Sequence, residues 1–412
     1  MQVVADFHVH SKYARATSPL CEPDGLAEGA KIKGITVMAT GDFTHPQYFE
    51  LLKQKLTLEE NGLFPYNGIH LMLSVEISLI YSGKNHANKM HHLVLAPNFD
   101  VAAQINEVLG KRGNLKSDGR PILGIKSPEF AELLFEISKD IVIIPAHAWT
   151  PWFAIFGSSS GVNSVEEAFE DKADKIFALE TGLSSDPQMN WMISKLDKYT
   201  LVSNSDAHSI DKLGREANVF ELEELSYNAI INAVKTRKGF VKTYEFYPEE
   251  GKYHYDGHRN CKVILHPNET KKHKGLCPEC KKPLTIGVLN RVYELADRPD
   301  GFKPPNAVPF KRIVPLKTVI GKAVGKSETS RPVYEYYSKL IRYFGNEFAV
   351  YEASEEQLRV ATDKTIADAL IRVNTGDITW VPGYDGEFGE LVLDKKMVKG
   401  VTNKKQKTLD DF

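Results

Sequence analysis

Across the first 250 residues, short apolar runs alternate with amphipathic stretches. The runs are "VVADFHVH", "GITVMATGD", "IHLMLSVEISL", "HHLVLAP", "DIVIIPAHA", "KIFALETG" and "YTLVSNSDAH". Most of their positions are apolar, as expected of strands buried on both faces. The stretches between them carry helix signals: "SPEFAELLFEISK" offers Ser127 as an N-cap and Pro128 at the first helical position. This alternation predicts an α/β unit with a mainly parallel sheet.

The polar exceptions fall mostly at the ends of the runs: His8 and His10, Asp42, Glu76, His147, Glu180, then Asp206 and His208. In an α/β barrel the C-terminal ends of the strands meet at one rim, so these side chains would form a ring there. Residues two apart on a strand share a face, so Asp6, His8 and His10 would project together. "HHLVLAP" differs because its histidines open the run; His92 is chosen as the ring member, with His91 its alternative. A mixture of imidazoles and carboxylates suits transition metals better than Ca or Mg alone, and Glu76 could bridge two ions.

A chain of 412 residues predicts two or three domains. With 42% hydrophobic and 26% charged residues, no long apolar run and no signal-peptide pattern at the start, a cytoplasmic protein is expected. The net charge of −2 conceals a split: residues 251–345 hold 19 Lys+Arg against 8 Asp+Glu. A basic segment on an acidic chain points to a polyanion partner or to a lysine-rich solvated face.

Near residue 246 the pattern changes to a linker-like stretch and a cysteine cluster, "GHRNC" followed by "GLCPEC". His258, Cys261, Cys277 and Cys280 have the spacing of a structural zinc knuckle, with His254, His266 and His273 as rivals for the fourth place. Cys21 reads as a core residue. Trp149, Trp152, Phe153 and Phe156 crowd the segment after His147, where aromatic side chains either stack on bases or pack beneath the loop. The terminal "QKTLDDF" fits a sliding-clamp-binding peptide, with Gln406, Leu409 and Phe412 as its anchors.

"DFHVHS", "GDFTHP", "SVEIS", "PAHAW" and "SNSDAHS" resemble the motifs of the PHP (polymerase and histidinol phosphatase) metal-dependent phosphoesterases. "LETGLSSDPQMNW", "CPECKKPLTIGVLNRVYELADRP" and "PGYDGEFG" extend the resemblance, over almost the whole chain, to the endonuclease Q family. The resemblance implies a distorted (β/α)7 barrel over residues 1–245, a zinc module over 246–300, an α+β DNA-binding region over 301–400 and a tail over 401–412. It implies two or three catalytic divalent metals (Zn, Mn or Mg) and one structural Zn. His8, His10, Glu76 and Asp206 would hold one ion, and Glu76, His92 and His147 a second. His208 would serve a third ion or the leaving group. Asp42 and His45 are candidates for that third ion, but "SKYARATS" lacks the acid that many PHP proteins carry after the H-x-H motif. Asp6 and Glu180 are expected to orient ligands. The implied activity is cleavage of DNA 5′ of uracil, hypoxanthine, xanthine and abasic sites, with Arg15, Trp149, Trp152, Lys311 and Arg312 contacting DNA and a sliding clamp as partner. A PHP phosphatase for small metabolites and a non-catalytic DNA- or clamp-binding protein are the alternatives.

Overall fold

A computed structural model of the chain describes residues 1–83 and 86–393. The clamp-binding pattern at Gln406, Leu409 and Phe412 lies outside the described residues. The strands are β1 (Gln2–Asp6), β2 (Val37–Ala39), β3 (Phe64–Tyr66), β4 (Ile69–Ser82), β5 (Ala87–Ala96), β6 (Ile122–Leu123), β7 (Val142–Pro145) and β8 (Ala178–Glu180). They continue with β9 (Thr200–Val202), β10 (Ala217–Glu221), β11 (Phe240–Phe246), β12 (Asp256–His258), β13 (Val263–Leu265), β14 (Phe310–Ile313), β15 (Thr379–Val381) and β16 (Glu390–Val392).

The main sheet runs in the order β14-β11-β10-β1-β2-β4-β5-β7, with β3 and β6 on β4. It is mixed rather than mainly parallel. The pairs β1–β2 and β2–β4 are parallel, but β5 turns back from β4 as a hairpin, and β4–β5, β5–β7 and β1–β10 are antiparallel. A tight connection forces this direction, because a parallel return needs a long crossover. The sheet curls, and the separate parallel pair β8–β9 lies between its ends. The Ala148 N–H donates to Glu180 O at 3.0 Å on one side, and the His10 N–H to Ala207 O at 2.9 Å on the other.

Alternate strand residues enter two cores. Val3, Ala5, Val37, Met72, Leu93, Leu95 and Ile144 close on one another on one face. Val4, Met38, Leu71, Leu73, Val94 and Ile143 pack with the helical layer on the other. Helix Ser127–Ile137 starts one residue earlier than its signal suggests: Lys126 occupies the cap, and the Ser127 hydroxyl turns to His92 Nε2 at 3.0 Å.

The C-terminal part is fastened to this sheet. β14 pairs with β11, so the change of character near 246 falls at the end of a strand inside a continuous sheet. The β15–β16 hairpin docks through Gly383 N–H to Glu249 O and Gly389 N–H to Glu250 O. Much of the basic excess is used internally. Arg298 pairs with Asp197, Arg312 with Asp186 and Lys317 with Asp211. Lys33, closing helix Pro23–Lys33, reaches buried Glu347 at 2.5 Å, which also accepts from Tyr337 (2.8 Å), Tyr351 (3.2 Å) and the Leu316 N–H (3.1 Å). No helix among the described residues is long and apolar enough to cross a membrane.

Removing one partner of a buried ion pair leaves the other charge uncompensated. Lys33→Met should therefore lower stability by about 3–5 kcal/mol in urea unfolding; a loss below about 1 kcal/mol would show that Glu347 does not depend on Lys33.

Candidate metal centre

Two groups of ligand atoms converge at one end of the curled sheet. His8, His10, Glu76 and Asp206 form the first, and Glu76, His91 and His147 the second; within each group the atoms lie within 4.8 Å of one another. Glu76, in the middle of β4, belongs to both. Its Oε2 is 3.3 Å from His10 Nε2 and 3.7 Å from His8 Nε2. Its Oε1 is 2.7 Å from His91 Nδ1 and 2.9 Å from His147 Nε2. Asp206 Oδ1 lies 3.1 Å from His10 Nε2.

The chemistry of this set fits divalent cations. His8 Nε2, His10 Nε2 and Asp206 Oδ1 are buried without a hydrogen-bond partner, a costly state that a bound ion relieves. The other ring nitrogens are occupied. His8 Nδ1 meets Glu180 at 3.0 Å and His10 Nδ1 meets Asp42 at 3.0 Å. Each carboxylate holds the proton on Nδ1 and leaves the Nε2 lone pair free for a ligand bond. Glu180 further accepts from the His147 N–H (2.7 Å) and Asn204 Nδ2 (2.8 Å). Asp42 accepts from the Ser11 N–H (2.6 Å) and Ser11 Oγ (2.7 Å). Burial alone would raise the Glu76 carboxyl, but His91, His8 and Arg120 hold it well below the usual carboxylate range. Burial disfavours protonation of His8 and His10, yet the surrounding carboxylates raise both rings well above the usual histidine value. A pocket that collects protons in this way exchanges them for metal, so metal affinity should weaken in acid.

The backbone is bent to deliver these groups. Asp42, His147 and Asp206 have φ of +47°, +29° and +45°, a left-handed region that non-glycine residues rarely enter and that clusters at functional sites. Asp6 holds the neighbouring chain together: it accepts from the Ser205 (3.0 Å), His8 (3.3 Å) and Gly214 (3.3 Å) N–H groups, and burial pushes it up to about 6. Alternation stops where β1 ends at Asp6, so Asp6 does not join His8 and His10 in the cluster.

His91 rather than His92 enters the second group. His91 pairs across β4–β5 with Ser78 and shares a face with Glu76, whereas His92 pairs with Ile77 on the opposite face. His92 is buried against Phe169 (5.0 Å) and Phe130 (5.9 Å), and burial pushes it down to about 3. His208 lies beside His10, with ring centroids 4.3 Å apart, and its Nδ1 meets Asp206 O at 3.1 Å. His45 stacks on Tyr13 at 4.4 Å. Neither belongs to the converging groups, and Asp42 is engaged by His10, so the third-ion candidates do not assemble among the described residues. Arg120, which no motif of the sequence marks, donates from Nη1 to Glu76 Oε2 at 2.9 Å.

The other candidates separate by exposure. Trp149 is a core residue, 1% exposed, with Nε1 donating to Asn190 Oδ1 at 2.8 Å, so it does not face a ligand. Trp152 is 43% exposed beside Tyr253. Arg15 is exposed near the rim. Lys311 donates to Tyr351 O at 2.5 Å and approaches Glu352 at 3.2 Å, and Arg312 is bound to Asp186; both are turned onto their own chain. Away from the curled sheet, His258, Cys261, Cys277 and Cys280 bring one ligand atom each within 4.8 Å, an arrangement suited to one tetrahedral ion. Buried His254 and His266, which caps helix Pro267–Lys272, stand outside that group.

No family model matches the chain. An uncharacterized protein of Methanocaldococcus jannaschii is 30% identical over 264 residues, 61% of this chain, which spans only 32% of that relative's length. The uncharacterized Bacillus subtilis protein YqxK is 29% identical over 382 residues, covering 89% of this chain and 91% of its own. Among solved structures, the lesion-specific endonuclease PfuEndoQ from Pyrococcus furiosus is 30% identical, with a TM-score of 0.86 over 100% of this chain and 98% of its own. Endonuclease Q in complex with a 27-mer duplex carrying an abasic lesion at the active site is also 30% identical, with a TM-score of 0.85 and both chains fully covered. With identity at this level sustained from end to end, the chain belongs to the endonuclease Q family.

Proposed function

We propose that this protein is a DNA repair endonuclease that hydrolyses the phosphodiester 5′ of deaminated bases (uracil, hypoxanthine, xanthine) and of abasic sites. One observation carries the reading: two ligand groups sharing a buried carboxylate occur in a chain that superposes throughout on endonuclease Q bound to lesion DNA. His8, His10, Glu76 and Asp206 would hold one divalent ion, and Glu76, His91 and His147 a second. Such ions supply an activated water at neutral pH and neutralise the charge of the phosphate. Glu180 and Asp42 fix the imidazole tautomers, and Glu76 sets the spacing between the two groups. His208, 32% exposed at the side chain, would meet the leaving oxygen. Trp152 offers the exposed aromatic face at the rim for stacking on a base beside the cut. The Cys3His group would hold a structural zinc that lets a segment with a small core of its own keep its shape for DNA contact. A sliding clamp, engaged through Gln406, Leu409 and Phe412, would be the second partner.

Duplexes with a single uracil, hypoxanthine, xanthine or abasic site should be nicked on the 5′ side of the lesion, and Asp206→Ala should abolish the cut. Equal cleavage by that variant would sink the ligand assignment, and release of phosphate from small monoesters without nicking would favour the metabolite phosphatase. Glu180→Gln, which disturbs only the orientation of ligands, should cost about 10–100-fold in rate.

The adjacent histidines should separate in metal analysis. His91→Ala is expected to lose barrel-bound metal, whereas His92→Ala should keep it and lose about 1–3 kcal/mol of stability from the buried Ser127 contact. The reverse pattern would move the second site to His92.

A further inference from the structure

We propose that Arg120 is a catalytic residue that binds the scissile phosphate and stabilises the charge that builds on it; this rests on the phosphodiesterase reading above. Arg120 reaches the centre from a partly exposed position. Glu76, its partner, has no exposed side-chain surface, while the Arg120 side chain is 29% exposed. The side chain therefore runs between the buried ligand set and the surface. It carries five N–H donors in a planar fork, and the contact with Glu76 is the one its guanidinium makes to the described residues. The remaining donors suit the non-bridging oxygens of a phosphate, which a fork of this shape binds in pairs.

The chain invests in placing this side chain. The Gly119 N–H donates to Tyr13 O at 3.0 Å, and a Cβ at Gly119 would fall on the Asp42 carboxylate and 2.9 Å from Ala14 N. Glycine thus lets the segment lie directly on the carboxylate that orients His10. Asp118 Oδ1 then accepts from the Arg120 N–H at 3.0 Å and from the Arg15 N–H at 3.4 Å, joining the two loops. Arg120 and His10 are referred to the same scaffold, so the guanidinium is fixed relative to the ligands.

Other cations nearby do not offer this. Arg215 is turned to the Ser205 and Asp206 carbonyls, and Lys12 is paired with Glu22. His45 and His208 do not complete a third ligand group, and among the described residues Arg120 is the arginine whose guanidinium touches the shared carboxylate Glu76. Attack on a phosphodiester adds charge to the non-bridging oxygens. A donor aimed there acts mainly on the transition state, and deleting one such donor typically costs about 10²–10³ in rate.

The test compares wild type with Arg120→Ala, Arg120→Lys and Gly119→Ala by metal content, thermal melting, lesion-duplex affinity in Ca²⁺ and single-turnover cleavage. Arg120→Ala should keep its metal, fold and duplex affinity within a few-fold and lose about 10²–10³-fold in cleavage rate. Added guanidinium chloride should restore part of that loss. Arg120→Lys should recover little, because an ammonium has no fork, and Gly119→Ala should be slow with its arginine intact. Cleavage by Arg120→Ala at the wild-type rate would overturn the proposal. So would a loss that tracks missing metal and resists guanidinium rescue, since Arg120 would then only position Glu76. Bis(4-nitrophenyl) phosphate separates the two readings. If wild type cleaves this diester but no lesion duplex, the DNA reading fails while the Arg120 ratio still decides this one; if it cleaves neither, both fall.

Discussion

A carboxylate in the middle of an apolar strand must be neutralised or matched by positive charge. Glu76 meets that constraint with every group around it: His8 and His10 after β1, His91 on β5, His147 after β7 and Arg120 from a loop. These residues come from distant parts of the chain, so the curl of the sheet that brings them together is as much a part of the site as the side chains. The constraint passes outward. Imidazoles that face a buried anion need their far nitrogens fixed, and Glu180 and Asp42 do this with carboxylates that are themselves anchored to backbone N–H groups. The left-handed backbone at Asp42, His147 and Asp206 is tolerated because so many hydrogen bonds specify each position.

The same principle of matched charge joins the two halves of the molecule. The excess of lysine and arginine after residue 251 reads as a footprint for a polyanion, but Arg298, Arg312 and Lys317 are paired with Asp197, Asp186 and Asp211 of the N-terminal part. The acidic and basic halves are complementary surfaces of one folded unit. Lys262, Lys271, Lys274 and Lys282, around the Cys3His group, are exposed.

The sequence showed the site more clearly than the sheet. Run ends carrying His8, His10, Glu76, His147 and Asp206 were legible because polar residues are conspicuous in apolar strands. The choice between His91 and His92 was not, because it depends on strand direction. Once β5 runs antiparallel to β4, Glu76 faces Leu93, and His91, two residues from Leu93, takes the same side; the shared parity of His91, Leu93 and Leu95 was the available signal. Trp149 and Trp152 belong to one aromatic cluster in sequence, yet a single buried acceptor, Asn190 Oδ1, assigns the first to the core. Arg120 was invisible because its neighbourhood, "SDGRPILG", has no metal-binding type of residue pattern, and its role comes from the close approach of Gly119 to Asp42.

The loop that follows His147 links the metal centre to the C-terminal module. The Thr150 hydroxyl meets His147 Nδ1 at 3.2 Å and also Trp152 O at 2.9 Å. Further along, Arg291, 7% exposed, donates to Phe156 O (3.1 Å), Val162 O (3.2 Å) and Asn163 Oδ1 (2.6 Å). Arg291 belongs to helix Val288–Leu295, and that helix follows the Cys3His segment directly. A buried guanidinium that satisfies several acceptors is expensive to release, so the loop and the helix move as one body. Displacing the helix would strain the segment that carries His147. The C-terminal module and the loop that follows His147 are therefore fastened to each other through the buried Arg291 side chain.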